Sequence, residues 1–226
     1  MAAEQEPVRP AWYALETGGW RDYVTLLHPP YTLWHLSYVA VGAALSPAFS
    51  WTRLGAALLA FALAMGVGAH ALDELNGRPL QTRIPTVTLW LLAGASVAAA
   101  VATGVNACVA WTGWLAPFVV AGAFVVVAYN LELFGGAFHS DLWFGLAWGA
   151  LPLLSAYVVQ AGTLRWEAIV AAAWATLLSL AQRALSTPVR QARRQEARVD
   201  PTLERALRLL TAATVALAVA LLGLRL

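Results

Sequence analysis

The sequence predicts an all-α, polytopic membrane protein with about seven transmembrane helices, and three observations support this fold class. Of its 226 residues, 60% are hydrophobic and only 12% are charged, whereas a soluble domain carries roughly 25% charged residues. The chain contains eleven Trp, a residue favoured at the boundary between membrane and water. Its apolar residues also fall into segments of roughly 20, the length that a helix needs to cross a bilayer.

Seven such segments follow one another, with short polar loops between them. The predicted spans cover about residues 32–49, 52–72, 86–104, 107–129, 142–160, 166–184 and 205–225. The third and fourth spans should be joined by a tight turn at Gly104–Asn106. The loops leave no room for a separate soluble domain, so we predict one transmembrane helical domain over residues 26–226.

The first residues differ from the rest in composition. Residues 1–25 mix aromatic side chains such as Trp12, Tyr13 and Trp20 with acids and Arg, which is typical of an interfacial arm at the lipid headgroups. His28 and two Pro follow, and Pro is tolerated in the first turn of a helix, where span 1 begins.

Polar residues mark the ends of the later spans. Span 2 runs into His70-Ala-Leu-Asp73-Glu74 and the turn-forming Asn76-Gly77-Arg78-Pro79. Span 4 ends at Asn130-Leu-Glu132, and Gly135-Gly136 should interrupt the helix before His139-Ser-Asp141 opens span 5. Span 6 should end near Arg183, before an Arg-rich stretch.

The distribution of Arg predicts the topology. All fourteen basic residues are Arg, and most lie in loops on the same side as the N-terminus, whereas the opposite loops hold Arg53 and Arg165. The positive-inside rule therefore places the N-terminus in the cytoplasm and the C-terminus outside, in what we take to be a prokaryotic cytoplasmic membrane. The net charge of +2 is mainly this topology signal, so we expect a lipid bilayer as partner and no nucleic acid.

This topology gathers most of the reactive side chains at one end of the bundle. Ionisable groups at membrane depth are costly and by default mark a functional site. His70 lies three and four residues before Asp73 and Glu74, so all three share a helix face. The residues expected at this end are His28, His35, His70, His139, Asp73, Glu74, Asn130, Glu132 and Asp141.

Two kinds of chemistry fit such a cluster. In the first, carboxylates hold Mg²⁺ while Arg side chains and an amide bind a diphosphate; the catalytic candidates are His70, Asp73, Glu74 and Glu132, and the substrate-binding candidates are Arg78, Arg83, Asn130, Arg190 and Arg193. In the second, imidazoles and carboxylates bind Fe or Zn, with ligands drawn from His35, His70, Asp73, Glu74, Glu132, His139 and Asp141.

Simpler roles remain open for several of these residues. His35 is equally a core imidazole bonded to the backbone, and Asp141 is a natural cap or first-turn acid of span 5. The Arg residues at 190–194 also suit anionic lipid headgroups.

The order of these signals resembles that of the intramembrane aromatic prenyltransferases of the UbiA superfamily, most closely the branch that prenylates naphthoate in menaquinone synthesis. Over about residues 24–195, the matching stretches are Leu27-His-Pro-Pro-Tyr-Thr-Leu33, Asp73 to Arg83 at the first Asp-rich loop, Phe138-His-Ser-Asp141, and Tyr157-Val-Val-Gln-Ala-Gly162. The resemblance implies a UbiA-like bundle, Mg²⁺ as cofactor, and transfer of a prenyl group from an isoprenoid diphosphate to a lipophilic acceptor.

The chain also departs from that pattern. His70 stands where the first motif of the family has a carboxylate, and residues 182–195, where the second Asp-rich motif belongs, contain no acid. Three hypotheses follow: a divergent UbiA-like prenyltransferase, a membrane metalloenzyme that uses Fe or Zn to oxidise or hydrolyse a lipid-soluble substrate, and a non-catalytic protein that binds an isoprenoid or quinone.

Overall fold

A computed structural model describes residues 9–226, and this part of the chain folds into a bundle of helices without a β-strand. Within this range, six helices are long and apolar enough to cross a membrane. In chain order they are α3 (Trp51–Leu75), α4 (Thr86–Ala110), α5 (Gly113–Asn130), α6 (Asp141–Ala161), α7 (Trp166–Arg194) and α8 (Pro201–Gly223). The predicted fold class, a polytopic helical membrane bundle, is confirmed.

Two further helices precede these six, α1 (Trp20–Leu26) and α2 (Pro29–Leu45). Helix α2 corresponds to the first predicted span and has 17 residues, the lower limit for crossing a bilayer. It lies at the centre of the bundle and packs most extensively against α6 and α8. A Cβ at Gly42 would lie 2.1 Å from the carbonyl oxygen of Leu153, so the close approach of α2 and α6 depends on this glycine.

Two predicted helix ends are wrong. Helix α4 continues through Gly104 and Asn106 to Ala110, because Gly104 serves close packing: a Cβ there would lie 2.7 Å from Cγ2 of Val119 on α5. Helix α7 continues past Arg183 to Arg194 and contains Pro188. The predicted break at Gly135-Gly136 is present, and both glycines have positive φ.

Two helices contain a wider turn. The segment Ala62–Ala69 of α3 and the segment Leu146–Ala150 of α6 are π-helical. Such turns are rare and disturb the regular ladder of backbone hydrogen bonds, and they are frequent at functional sites. Each of these two segments contains a carbonyl oxygen that binds a histidine, as described below.

Side-chain contacts identify which helix ends lie together. We call one end of the bundle the polar end: there the start of α2 meets the end of α3, and the ends of α5 and α7 meet the start of α6. At the opposite end, Gln160 of α6 exchanges hydrogen bonds with the backbone of Ser50 (2.8 and 3.0 Å). All four histidines lie at or within about two turns of the polar end.

Residues 1–8 of the predicted arm lie outside the described range. From residue 9 the arm packs against the polar end of the bundle. Ala14 is buried, and the amide of Leu15 donates to Oγ1 of Thr25 (3.0 Å). Trp20 and Tyr23 are exposed, whereas Tyr13 turns towards the interior of the bundle. The arm thus supplies a residue to the polar end as well as an exposed aromatic surface.

Candidate functional site

Three histidines at the polar end are held in the same way. Nδ1 of His70 donates to the carbonyl oxygen of Gly66 (3.1 Å), and Nδ1 of His35 donates to that of Trp148 (2.9 Å). Both carbonyls belong to the π-helical turns of α3 and α6. His139 donates in the same way to Tyr129 (3.0 Å). Because a carbonyl oxygen only accepts, each neutral ring carries its proton on Nδ1 and keeps a lone pair on Nε2.

His28 is bound differently and lies against His70. Its backbone has φ 44°, a left-handed conformation that is costly for a non-glycine residue. The Tyr13 hydroxyl and Nδ1 of His28 share a hydrogen bond (2.5 Å), and the His28 ring stacks on His70 with centroids 4.2 Å apart. Within residues 9–226, His28 Nε2 is buried without a hydrogen-bond partner. Burial, together with the nearby His70 and Arg190, lowers the pKa of His28 well below its usual value.

Asp73 is the carboxylate that the site leaves free. It lies one helical turn after His70 and is half-buried, and its carboxylate makes no side-chain hydrogen bond or ion pair with any residue between 9 and 226. The charges of Arg190 and Arg194 act on it. Burial raises the pKa of Tyr13 well above its usual value, and the positive charge of Arg190 opposes this shift.

Glu74, the neighbouring acid, has a different role. Its side chain is fully buried and accepts hydrogen bonds from the amides of Leu80 (2.9 Å) and Thr82 (2.8 Å) and from Oγ1 of Thr82 (2.8 Å). These three bonds fix the loop between α3 and α4. We therefore place Asp73, and not Glu74, in the candidate site.

The predicted substrate-binding arginines also separate into two groups. Arg78 donates to the carbonyl oxygens of Thr82 (3.1 Å) and Ile84 (2.7 Å) and so belongs to the same loop. Arg193 pairs with Glu204 and donates to the carbonyl of residue 9 (2.8 Å). The side chain of Arg83 is exposed and no contact connects it to Asp73. Arg190 is the predicted arginine whose charge reaches the Asp73 site.

The remaining predicted residues each have a protein partner at the polar end. Glu132 accepts from Nδ2 of Asn76 (3.3 Å) and lies 3.9 Å from Nδ1 of His139. Asn130 is buried and donates to the Val126 carbonyl (2.7 Å). Asp141 follows the true cap, Ser140, in the first turn of α6 and pairs with Arg183.

The predicted metal ligands do not come together in one coordination site. Among residues 9–226, no three His, Cys, Asp or Glu side chains are arranged so that they could hold a metal ion. The imidazoles of His28 and His70 are stacked, His35 lies deeper against Trp148, and Glu74, Glu132 and Asp141 have protein partners. The seven residues proposed for an Fe or Zn site therefore do not act as one ligand set in this structure.

Three residues that complete the polar end were not among the predicted site residues: Tyr13, Tyr129 and Arg183. Tyr13 was assigned to the interfacial arm but binds His28. Tyr129 stacks on His139 with centroids 4.4 Å apart, and its hydroxyl accepts from Arg183, which also binds Asp141. Tyr129 directly precedes Asn130 at the end of a span, and that position was the available signal.

Comparison of the chain with protein-family models, with curated proteins and with solved structures gave no match. The resemblance to the UbiA superfamily therefore stays an expectation from sequence motifs.

Proposed function

We propose that the protein is a divergent membrane prenyltransferase that takes an isoprenoid diphosphate and a lipophilic acceptor from the bilayer. The observation that carries the proposal is the half-buried carboxylate of Asp73, which has no side-chain partner among residues 9–226 and on which the charges of Arg190 and Arg194 act. Arg190 and Arg194 are exposed and form no ion pair with any residue between 9 and 226, so their guanidinium groups are available to a bound anion. Guanidinium groups form charge-assisted hydrogen bonds with phosphate oxygens, and the apolar faces of the helices can pack against a prenyl tail.

The carboxylate also fits the cofactor that the resemblance implies. Mg²⁺ is commonly held by one or two carboxylates together with substrate phosphates and water rather than by an all-protein cage. Asp73 is available for this role, whereas Glu74 is occupied by the loop. When bound, Mg²⁺ would offset the negative charge of the diphosphate leaving group.

In the proposed reaction, the side chains of the site assist transfer of the prenyl group from diphosphate to the acceptor. The carbon–oxygen bond between the prenyl group and diphosphate breaks, and Arg190 and Arg194 stabilise the leaving diphosphate. A new bond forms between that carbon and the acceptor, which loses a proton. Nε2 of His70 is the base for this proton, because the bond from Nδ1 to Gly66 leaves the Nε2 lone pair free.

The test is release of diphosphate by the purified full chain in lipid nanodiscs that contain a membrane extract as acceptor source. We expect release from at least one of a series of isoprenoid diphosphates, dependent on Mg²⁺ and abolished by chelator. Asp73→Asn should lower the rate about 100-fold or more, whereas Glu196→Gln, an exposed control outside the site, should leave it unchanged. An active protein indifferent to Mg²⁺ and chelator would contradict the proposal.

A second function, a metalloenzyme acting on a lipid-soluble substrate, is favoured by one observation. Three imidazoles donate Nδ1 to backbone carbonyls and keep Nε2 free, an arrangement common among metal-ligating histidines. The absence of a three-ligand group in residues 9–226 argues against it. Metal analysis of protein purified without added metal distinguishes the two: stoichiometric Fe or Zn that is lost in His70→Ala supports this function.

A non-catalytic protein that binds an isoprenoid or quinone makes a different prediction. Alanine at Asp73 should then leave the cellular phenotype intact. The nanodisc assay would then show no release of diphosphate from any isoprenoid diphosphate of the series.

A further inference from the structure

A groove on the outer face of α8 lies apart from the site at Asp73. Its volume is about 690 Å³, and its walls are Trp12 of the arm, Leu33 of α2 and one face of α8. The residues that α8 contributes are Arg208, Thr211, Ala212, Val215, Ala216, Val219 and Ala220. They recur at intervals of three and four, so they form a continuous stripe along one helix face.

The groove is polar at one end and apolar along the rest of its length. Arg208 and Trp12 lie at the end near the start of α8, and small or branched apolar side chains follow. The hydroxyl of Thr211 donates to the Leu207 carbonyl within the helix (2.9 Å), so it offers no free donor to the groove. From Arg208 to Ala220 the stripe runs for roughly 18 Å at 1.5 Å per residue, close to the roughly 15 Å depth of one leaflet of the hydrocarbon core.

The charge at the Arg208 end of the groove has no ionic partner among residues 9–226. Arg208 lies over the ring of Trp12, with Cζ 4.4 Å from the ring centroid. It makes no ion pair or side-chain hydrogen bond within the described chain, and the nearby Glu204 is already paired with Arg193. Trp12 holds the guanidinium in place through a cation–π contact without neutralising it.

We propose that this groove binds one anionic phospholipid, with its phosphate on Arg208 and one acyl chain along the α8 stripe. Charge complementarity selects the headgroup, since an unpaired guanidinium binds a phosphate strongly, and a negatively charged headgroup leaves no cation of its own to compete. The length of the stripe matches a chain that stays within one leaflet. This proposal does not depend on the reaction proposed for the Asp73 site.

The test measures lipid retention by native mass spectrometry of the full chain, delipidated in detergent and titrated with phosphatidylglycerol or phosphatidylcholine of identical acyl chains. The wild-type protein should bind phosphatidylglycerol about tenfold more tightly. Arg208→Gln should abolish this preference while phosphatidylcholine still binds. Arg205→Gln is the matched control: it removes an exposed arginine of the same helix that does not line the groove, so the preference should remain.

A second variant tests the apolar part of the groove. Ala216→Trp should fill the stripe and weaken binding of both lipids while the headgroup preference of any residual binding persists. The proposal is overturned if the wild-type protein binds both lipids equally, if Arg208→Gln keeps the preference, or if Arg205→Gln loses it to the same extent. The last result would indicate general surface charge instead of a site.

Discussion

Glu74 and Asp73 are adjacent acids, and the structure predicts opposite consequences for their amide variants. Glu74→Gln should destabilise the protein, because the fully buried carboxylate accepts three hydrogen bonds from the loop between α3 and α4. Asp73→Asn should leave stability almost unchanged, because its carboxylate has no protein partner in residues 9–226.

The magnitude follows from the hydrogen bonds. A bond to a charged acceptor contributes roughly 1.5–3 kcal/mol. Gln keeps one oxygen but presents an NH₂ group to the Leu80 amide or to the Thr82 donors, so at least one bond is lost and a donor faces a donor. We therefore expect Glu74→Gln to cost about 2–5 kcal/mol, and Asp73→Asn to lie within about 0.5 kcal/mol of wild type.

The assay is thermal unfolding of the two variants in the same detergent, with limited proteolysis as a local probe. Glu74→Gln should unfold at a clearly lower temperature and become susceptible to cleavage near residues 76–84, whereas Asp73→Asn should match the wild-type protein in both respects. If Asp73→Asn were the less stable variant, or if both were as stable as wild type, the assignment of Glu74 to the loop and Asp73 to the site would be refuted.

Two further predictions concern packing and pH. Gly42→Ala should destabilise the protein by about 1–3 kcal/mol through overpacking, because the added Cβ would meet the Leu153 carbonyl oxygen. Gly55→Ala is the control: it has open space around it and should be neutral or slightly stabilising. Thermal unfolding of the two variants compares these effects. Burial lowers the pKa of His28 in the folded protein. Below about pH 6.5 the unfolded chain therefore binds more protons than the folded protein, and the free energy of unfolding should decrease as the pH is lowered. His28→Gln should flatten this fall, and an unchanged pH profile would contradict the burial of a neutral imidazole.

The sequence was sufficient for the fold class and for most helix positions, because length and apolar composition determine which segments can cross a bilayer. It misplaced the turn after α4 since Gly104 has two possible physical roles, turn formation and close helix packing, and only the position of Val119 shows which applies. It likewise ended α7 too early, because Pro188 is tolerated inside that helix.

The candidate site was predicted in part. Periodicity placed His70, Asp73 and Glu74 near one another, but it cannot tell which acid turns towards the loop that follows, and Leu80 and Thr82 decide this. Tyr13 was missed because an aromatic residue in a polar arm carries the same signal whether it faces headgroups or an imidazole. The order of the spans along the sequence was enough to predict that His28, His70 and Asp73 lie at the same end of the bundle.

Carbodiimide labelling tests most directly whether Asp73 is a free carboxylate in a site for an isoprenoid diphosphate. A membrane-soluble carbodiimide should modify Asp73 in the purified protein and spare Glu74, as mapped by peptide mass spectrometry. An isoprenoid diphosphate with Mg²⁺ should protect Asp73, whereas inorganic phosphate at the same concentration should not. Labelling of Glu74 in place of Asp73, or labelling of Asp73 that the diphosphate leaves unchanged, would contradict the account.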